Sequence, residues 1–364
     1  MSPPGVSALP DLCVINYNGS RYLPESLGRV RELRAQFGRV AFVDDASTDD
    51  SLAVARKALE DACFVALPRN RGPGPARNAG WAVLGARRVL FMDNDVFLNR
   101  HTVTELSRAL DEAPAAVAAV PRVVAADDPD RIEYDGGNAH YSGLVGLRRA
   151  GESAGTADPS ITPIGSLITC CFLLDRTRWG SELLFDEAFG MYGDDHELGL
   201  RARILGHDLL AVPSAVCLHG KGTPGISIRE TGSYTARRIR NTIVNRWQVL
   251  LKLYEGRTLL LLSPYLAAFE LFQLAGCVAL GWGREWAAAV RELFSLLPDL
   301  RARRTTFQRL RRRRDRETLV GGPHPFNPAL RRKAPIRFVL PCLDAVGAAT
   351  WAIARLGAGD RVRT

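Results

Sequence analysis

The chain has 364 residues, enough for one large α/β domain with an extension or for two modest domains. A hydrophobic content of 46% and a charged content of 24% exclude wholesale disorder. The formal net charge of +9 is unevenly placed: nine arginines lie between Arg301 and Arg316, while the carboxylate pairs fall mostly before Glu197, which points to an acidic partner for the C-terminal part or to a solvated basic helix face.

The first twelve residues, MSPPGVSALPDL, lack a basic region followed by an apolar core, so no secretory signal is expected and a cytoplasmic protein is the default. The apolar runs LCVINYN (12–18), VAFVDDAS (40–47), CFVALP (63–68) and VLFMDND (89–95) each break into polar residues and read as strands. Between them, 50–61 and 75–86 carry helical spacing, so a mostly parallel sheet with helices on both faces is expected. Each strand ends in polar side chains: Asn16 and Asn18, Asp44 and Asp45, Arg69 and Asn70, Asp93 to Asp95. Ligands of open α/β sheets bind beyond the carboxyl ends of the strands, so four segments would deliver polar groups to one crevice.

Asp93 and Asp95 stand one residue apart at the mouth of a buried strand, where a divalent cation would offset their repulsion; carboxylate oxygens suit magnesium or manganese. Asp128 and Asp130 repeat the spacing with no strand-like run before them and read as solvated loop residues. The stretch from about 127 to 160 is glycine-rich and reads as loops and hairpins. Gly193-Asp194-Asp195-His196-Glu197 then opens an amphipathic helix. The positive end of the helix dipole favours acids there, yet three in four positions exceed what capping needs, so a functional carboxylate is expected. His219 ends the strand-like run LLAVPSAVCLH and opens the turn Gly220-Lys221-Gly222, where a structural role and a metal contact both stay open. The seven cysteines form no Cys-x-x-Cys pair and read as buried reduced thiols.

The blocks VINYNGSRYLPESL, VDDASTDDS, RNRGPGPARNAG, FMDND, FDEAFGMYGDDHELGLRAR and HGKGTPG follow one another between Asp11 and Ser227. In that order they resemble the family 2 glycosyltransferases, nucleotide-sugar-dependent enzymes of the GT-A fold, and within the family a non-processive, rhamnosyltransferase-like member. The resemblance implies a Rossmann-like sheet sandwiched by helices. It puts Ile15 and Tyr17 at the nucleobase, Asp45 as acceptor of a hydrogen bond from the base, and Asn18, Asn70, Arg77, Asn78, Asp93 and Asn94 around the nucleotide sugar. It further implies Asp95 as metal ligand, with His219 as a further one, for Mn2+ or Mg2+. Asp195 matches the catalytic base; Asp194 stands where the family carries Glu. Such a site would neutralise charge growing on the leaving diphosphate with the metal and Arg77, while Asp195 takes the proton of an acceptor hydroxyl and the configuration inverts. Processive members carry Gln-x-x-Arg-Trp; here Ile243 occupies the Gln position before Arg246-Trp247, and the matching block of transmembrane helices is absent, so transfer of a single sugar to a glycan or lipid-linked acceptor is expected.

A boundary is placed near 230, giving a catalytic part over 1–230 and a helical, basic extension over 231–364. Residues 258–282 are long enough to span a bilayer, which needs about 20 apolar residues. Pro264, Glu270 and Gln273 are unfavourable at mid-membrane, so attachment to the membrane surface is expected, with the arginine run on anionic headgroups. Residues 336–356 form a weaker apolar segment interrupted by Pro341 and Asp344. Two rival readings remain. Asp93-Asn94-Asp95-Val96 also fits the motif of haloacid-dehalogenase-like phosphatases, although three strands precede it here. A nucleic-acid- or lipid-binding module would use the arginine run, but only Phe307 interleaves it, and nucleic acid is not an expected partner.

Overall fold

The computed structural model describes residues 9–180, 183–223, 227, 234–326, 331–332 and 336–356. The expected boundary near 230 and the end of the HGKGTPG block lie outside the described residues. Two compact units result, one from Met1–Gly137, Leu147–Ala202 and His207–Thr235, the other from Asn138–Gly146, Arg203–Gly206 and Ala236–Thr364.

The first unit follows the apolar runs. In chain order it contains β1 (Asp11–Asn16), α1 (Leu23–Glu32), β2 (Val40–Asp44), α2 (Ser51–Ala58), β3 (Cys63–Ala66), α3 (Pro73–Val83), β4 (Arg88–Asp93), β5 (Val96–Leu98), α4 (Thr102–Glu112), β6 (Ala116–Ala125) and β7 (Asp128–Tyr134). Next in the chain is a two-stranded ribbon of β8 (Gly137–Ala139) and β9 (Val145–Leu147), most of which belongs to the second unit. Then come β10 (Thr162–Pro163), β11 (Cys171–Asp175), α5 (Arg176–Trp179), α6 (Asp194–Ile204) and β12 (Asp208–His219). The main sheet runs β10-β12-β6-β11-β4-β1-β2-β3, with β5 on β12 and β7 on β6. It is parallel through β4-β1-β2-β3 and between β6 and β12, while β11 lies antiparallel between β4 and β6.

Alternate residues of each central strand feed two cores. Leu12, Val14, Phe42, Leu90 and Met92 meet α1, α2 and α4 on one face; Cys13, Ile15, Val43, Val89 and Phe91 meet α3, α5 and α6 on the other. Burial on both sides explains why these strands read as continuous apolar runs rather than alternating ones. The run ending at His219 is one strand with a register shift between Val212 and Val216. Pro213 lies within that shift, where its missing N–H costs no ladder bond. Asp128 and Asp130 are exposed on β7, so the solvated reading stands although they belong to a strand.

In the second unit, α7 (Ala236–Leu253) packs along α9 (Gly283–Leu310), and α8 (Gly256–Ala279) packs along α11 (Ile336–Leu356); α10 (Asp315–Thr318) is one turn. Helices α8 and α11 are both long and apolar enough to cross a membrane, by length and composition. Five cysteines are buried, Cys63 is half-buried, Cys342 is exposed, and none forms a disulfide.

Candidate functional site

Strand pairing assembles the site. In the parallel pairs, Asn16 lies opposite Asp44 and Ile15 opposite Asp93, so the polar ends of β1, β2 and β4 share one edge. Asn16 joins them: its amide donates to Asp44 Oδ1 at 2.8 Å, and its carbonyl accepts from Asn94 Nδ2 at 2.7 Å. Gly19 has to be glycine beside this pair, because a Cβ there would stand 2.0 Å from Asn94 Nδ2.

The two aspartates after β2 do different work. Asp44 knots its own turn by accepting from Ser47 N and Oγ at 3.0 and 2.6 Å. Asp45 organises the approach to α3, accepting from Asn70 Nδ2 at 3.0 Å and from the amides of Arg71 and Gly72 at 2.8 Å each. Asn18, with a left-handed φ of 49°, ties its loop to the next by accepting from Thr48 N at 2.7 Å. Asn78 pins the chain at 185, donating to Phe185 O and accepting from Phe185 N at 2.9 Å each. Ile15 sits in the second core, and Tyr17 is half-buried with its carbonyl accepting from Thr223. With Ile15 packed into that core, the side-chain amides of Asn18, Asn78 and Asn94 brace the loops that frame the site.

Arg77 links two of these elements. It is 2% exposed, donates from Nη2 to Asp93 Oδ1 at 2.5 Å and to Thr169 O at 2.8 Å, and lies 3.8 Å from Asp194 Oδ2 through Nη1. It bridges the end of β4 to the start of α6. Burial raises the Asp93 pKa, Arg77 pulls it down, and Asp95 adds repulsion. Burial also pushes Asp194 up to about 7, with the charge of Asp195 adding to the rise and Arg77 opposing it. Asp195 is half-buried and keeps access to solvent. His196, whose Nδ1 meets Ser166 Oγ at 2.8 Å, is pushed by burial down to about 4 and stays neutral.

Antiparallel pairing of β5 with β12 sets Val96 opposite His219, one residue from Asp95, and Gly220 N donates to Asp95 O at 2.8 Å. His219 Nε2 therefore faces Asp95 Oδ1 at 3.5 Å, while Nδ1 meets Glu133 Oε2 at 2.7 Å. Among the described residues no group of three His, Cys, Asp or Glu side chains forms a complete metal shell. One carboxylate and one imidazole, side by side, nonetheless fit a magnesium or manganese ion that takes its remaining ligands from water and phosphate oxygens. Sequence reasoning missed Glu133: it lies in the irregular stretch, and its partner comes 86 residues later. It also missed Ser47 and Glu187, although Ser47 follows directly on the acidic strand end and could have been read as a turn partner.

Residues 11–167 match the model of the family described as Glycosyl transferase family 2. The succinoglycan biosynthesis protein ExoO of Rhizobium meliloti (strain 1021) is 31% identical over 140 residues, covering 37% of this chain and 38% of that protein. The chain thus spans well under half the length of that relative. An N-acetylglucosaminyl-diphospho-decaprenol L-rhamnosyltransferase of Mycobacterium tuberculosis (strain ATCC 25618 / H37Rv) is 27% identical over 229 residues, covering 56% of this chain and 73% of that one. GalNAc-T7, solved with UDP, GalNAc and Mn2+, shares the fold at a TM-score of 0.57 and 16% identity, covering 73% of this chain and 51% of that one.

Proposed function

From the match of residues 11–167 to the model of glycosyl transferase family 2, we propose that the protein is an inverting, metal-dependent glycosyltransferase that moves one sugar from a nucleotide-sugar donor to a hydroxyl of a glycan or lipid-linked acceptor. The observation that carries this is the Asp93–Arg77–Asp194 bridge, which ties the carboxylate at the end of β4 to the acid pair that opens α6. The rhamnosyltransferase relative favours a deoxyhexose and a polyprenyl-diphosphate-linked acceptor. Asp95 and His219 would hold Mn2+ or Mg2+, which when bound supplies positive charge to the donor diphosphate. Asp45, already oriented by the amides of Arg71 and Gly72, would accept from the base, with Asn70 beside it. Asn18, Asn78, Asn94 and Arg77 hold the loops and the strand end in place for the donor.

Of the two acids that open α6, Asp194 is turned into Arg77 and Asp195 remains accessible, so Asp195 is the general base. It would take the proton from the acceptor oxygen as that oxygen attacks the anomeric carbon opposite the leaving nucleotide; a single displacement of this kind inverts the centre. The phosphatase reading loses ground because Asp93, its would-be nucleophile, is ion-paired to a buried arginine. Asp195→Asn should lose at least about a hundredfold in transfer, the scale of general-base catalysis, while donor-nucleotide affinity stays within about twofold. Turnover by that variant would assign the base elsewhere.

We take residues 1–230 as the catalytic part and 231–364 as a helical extension that faces the inner surface of the membrane from the cytoplasmic side. The supporting feature is the outward face of α8 and α11, where Leu260, Leu271, Val278, Phe338, Val346 and Ile353 are exposed.

A further inference from the structure

We infer that Glu133 is a positioning residue for the metal site: it fixes the tautomer and ring orientation of His219, so that Nε2 faces Asp95. This rests on the reading of Asp95 and His219 as metal ligands. A neutral imidazole carries one ring proton, and an ionised carboxylate can only accept. With Glu133 Oε2 at 2.7 Å, the proton of a neutral ring belongs on Nδ1, which turns Nε2 toward Asp95 Oδ1 at 3.5 Å. Metal-bound histidines are characteristically oriented in this way by a carboxylate on the second nitrogen.

The fold holds Glu133 to this task. Its side chain is 12% exposed, and that of His219 is 5% exposed. Strand β7 is pinned to β6 on both sides of it, with Ile132 opposite Val124 and Tyr134 opposite Val123 across a register shift. The Tyr134 ring stands edge-on to the imidazole at 6.3 Å between centroids and limits its rotation. Position 125 of β6 lies opposite His219 itself, so one strand sets the height of both partners.

The experiment uses the full chain and Mn2+ alone as probe, read by electron paramagnetic resonance of the free ion, alongside nitrogen-15 NMR of the imidazoles without metal. The six histidines leave His219 assignable through a His219→Gln variant. The wild type should show the Nδ1–H tautomer at His219. Glu133→Gln can still accept that proton, so it should keep the tautomer and bind Mn2+ about tenfold more weakly; Glu133→Leu should mix the tautomers and lose about a hundredfold. Equal Mn2+ affinity in the wild type and both variants, or an Nε2–H tautomer in the wild type, overturns the inference. If the wild type and Asp95→Asn bind Mn2+ equally poorly, the metal reading itself falls, whereas the NMR result still decides what Glu133 does to His219.

Discussion

Asp194 and Asp195 are neighbours in sequence and opposites in environment. Asp194 is 5% exposed against Arg77, and burial lifts its pKa to about 7, whereas Asp195 stays accessible. The sign of the effect on stability follows from linkage. In the unfolded chain Asp194 titrates near the ordinary value of 3.8. The raised pKa therefore contributes stability that is complete below that value and is lost as pH climbs through about 7. Asp194→Asn carries no such proton, so between pH 5 and pH 8 the wild type should lose on the order of 2–3 kcal/mol more than the variant. Denaturant unfolding of both proteins across that range checks it; parallel pH profiles would show that Asp194 is ionised throughout. Which acid of the pair faces solvent was not legible in the sequence, because it depends on Arg77. An arginine in the first turns of a helix beside a glycine-rich loop reads as a phosphate binder until the carboxylates on either side of it are seen.

Helix α3 carries Arg77 and Asn78, so its distance from β1 sets where both side chains arrive. Gly80 governs that distance: a Cβ there would stand 2.2 Å from Cys13 Sγ, and 3.3 Å from a Val43 methyl. Gly80→Ala should cost about 1–3 kcal/mol by overpacking, despite the better helix propensity of alanine. Cys13→Ala removes the clashing sulfur, so the double variant should be more stable than the sum of the single effects predicts by at least about 0.5 kcal/mol. A thermal-unfolding double-mutant cycle measures this, and strict additivity would mean that α3 shifts away at no cost. The strands and helices of the first unit were legible because their periods are clean. The arginine run was not. Arg304 donates to the carbonyls of Leu251 and Tyr254, Arg311 to that of Leu253, and Gln308 to those of Lys252, Leu253 and Tyr254, capping the C-terminal end of α7, where cations suit the dipole. Arg313 donates to Gly206 O. Charge counting sees basic residues; it cannot see that these are spent on backbone carbonyls within the second unit, leaving Arg301, Arg309, Arg312 and Arg316 as the exposed ones.

At the scale of the whole molecule, that division decides how the helical unit would hold a membrane. Glu270, which in the sequence argues against apolar surroundings for α8, pairs with Arg246 on the helix's inward side, and Gln273 is half-buried. The outward faces of α8 and α11 are left with large apolar side chains and almost no charge. Leu260 is 72% exposed, Leu271 68% and Phe338 65%, while Tyr265, Phe269, Leu343 and Trp351 turn inward. Attachment should then come from apolar burial more than from headgroup charge. Apolar contact is insensitive to salt, whereas each exposed arginine near an anionic surface adds only about 1 kcal/mol, screened beyond about 10 Å at 0.1 M salt. The protein should therefore float with vesicles containing anionic lipid and stay bound in 0.5 M salt. Phe338→Asp combined with Ile353→Asp should release it, with Mn2+ binding unchanged. Complete release of the wild type by salt would return the attachment to the arginines; failure to float on any vesicle would leave the apolar faces of α8 and α11 to a protein partner.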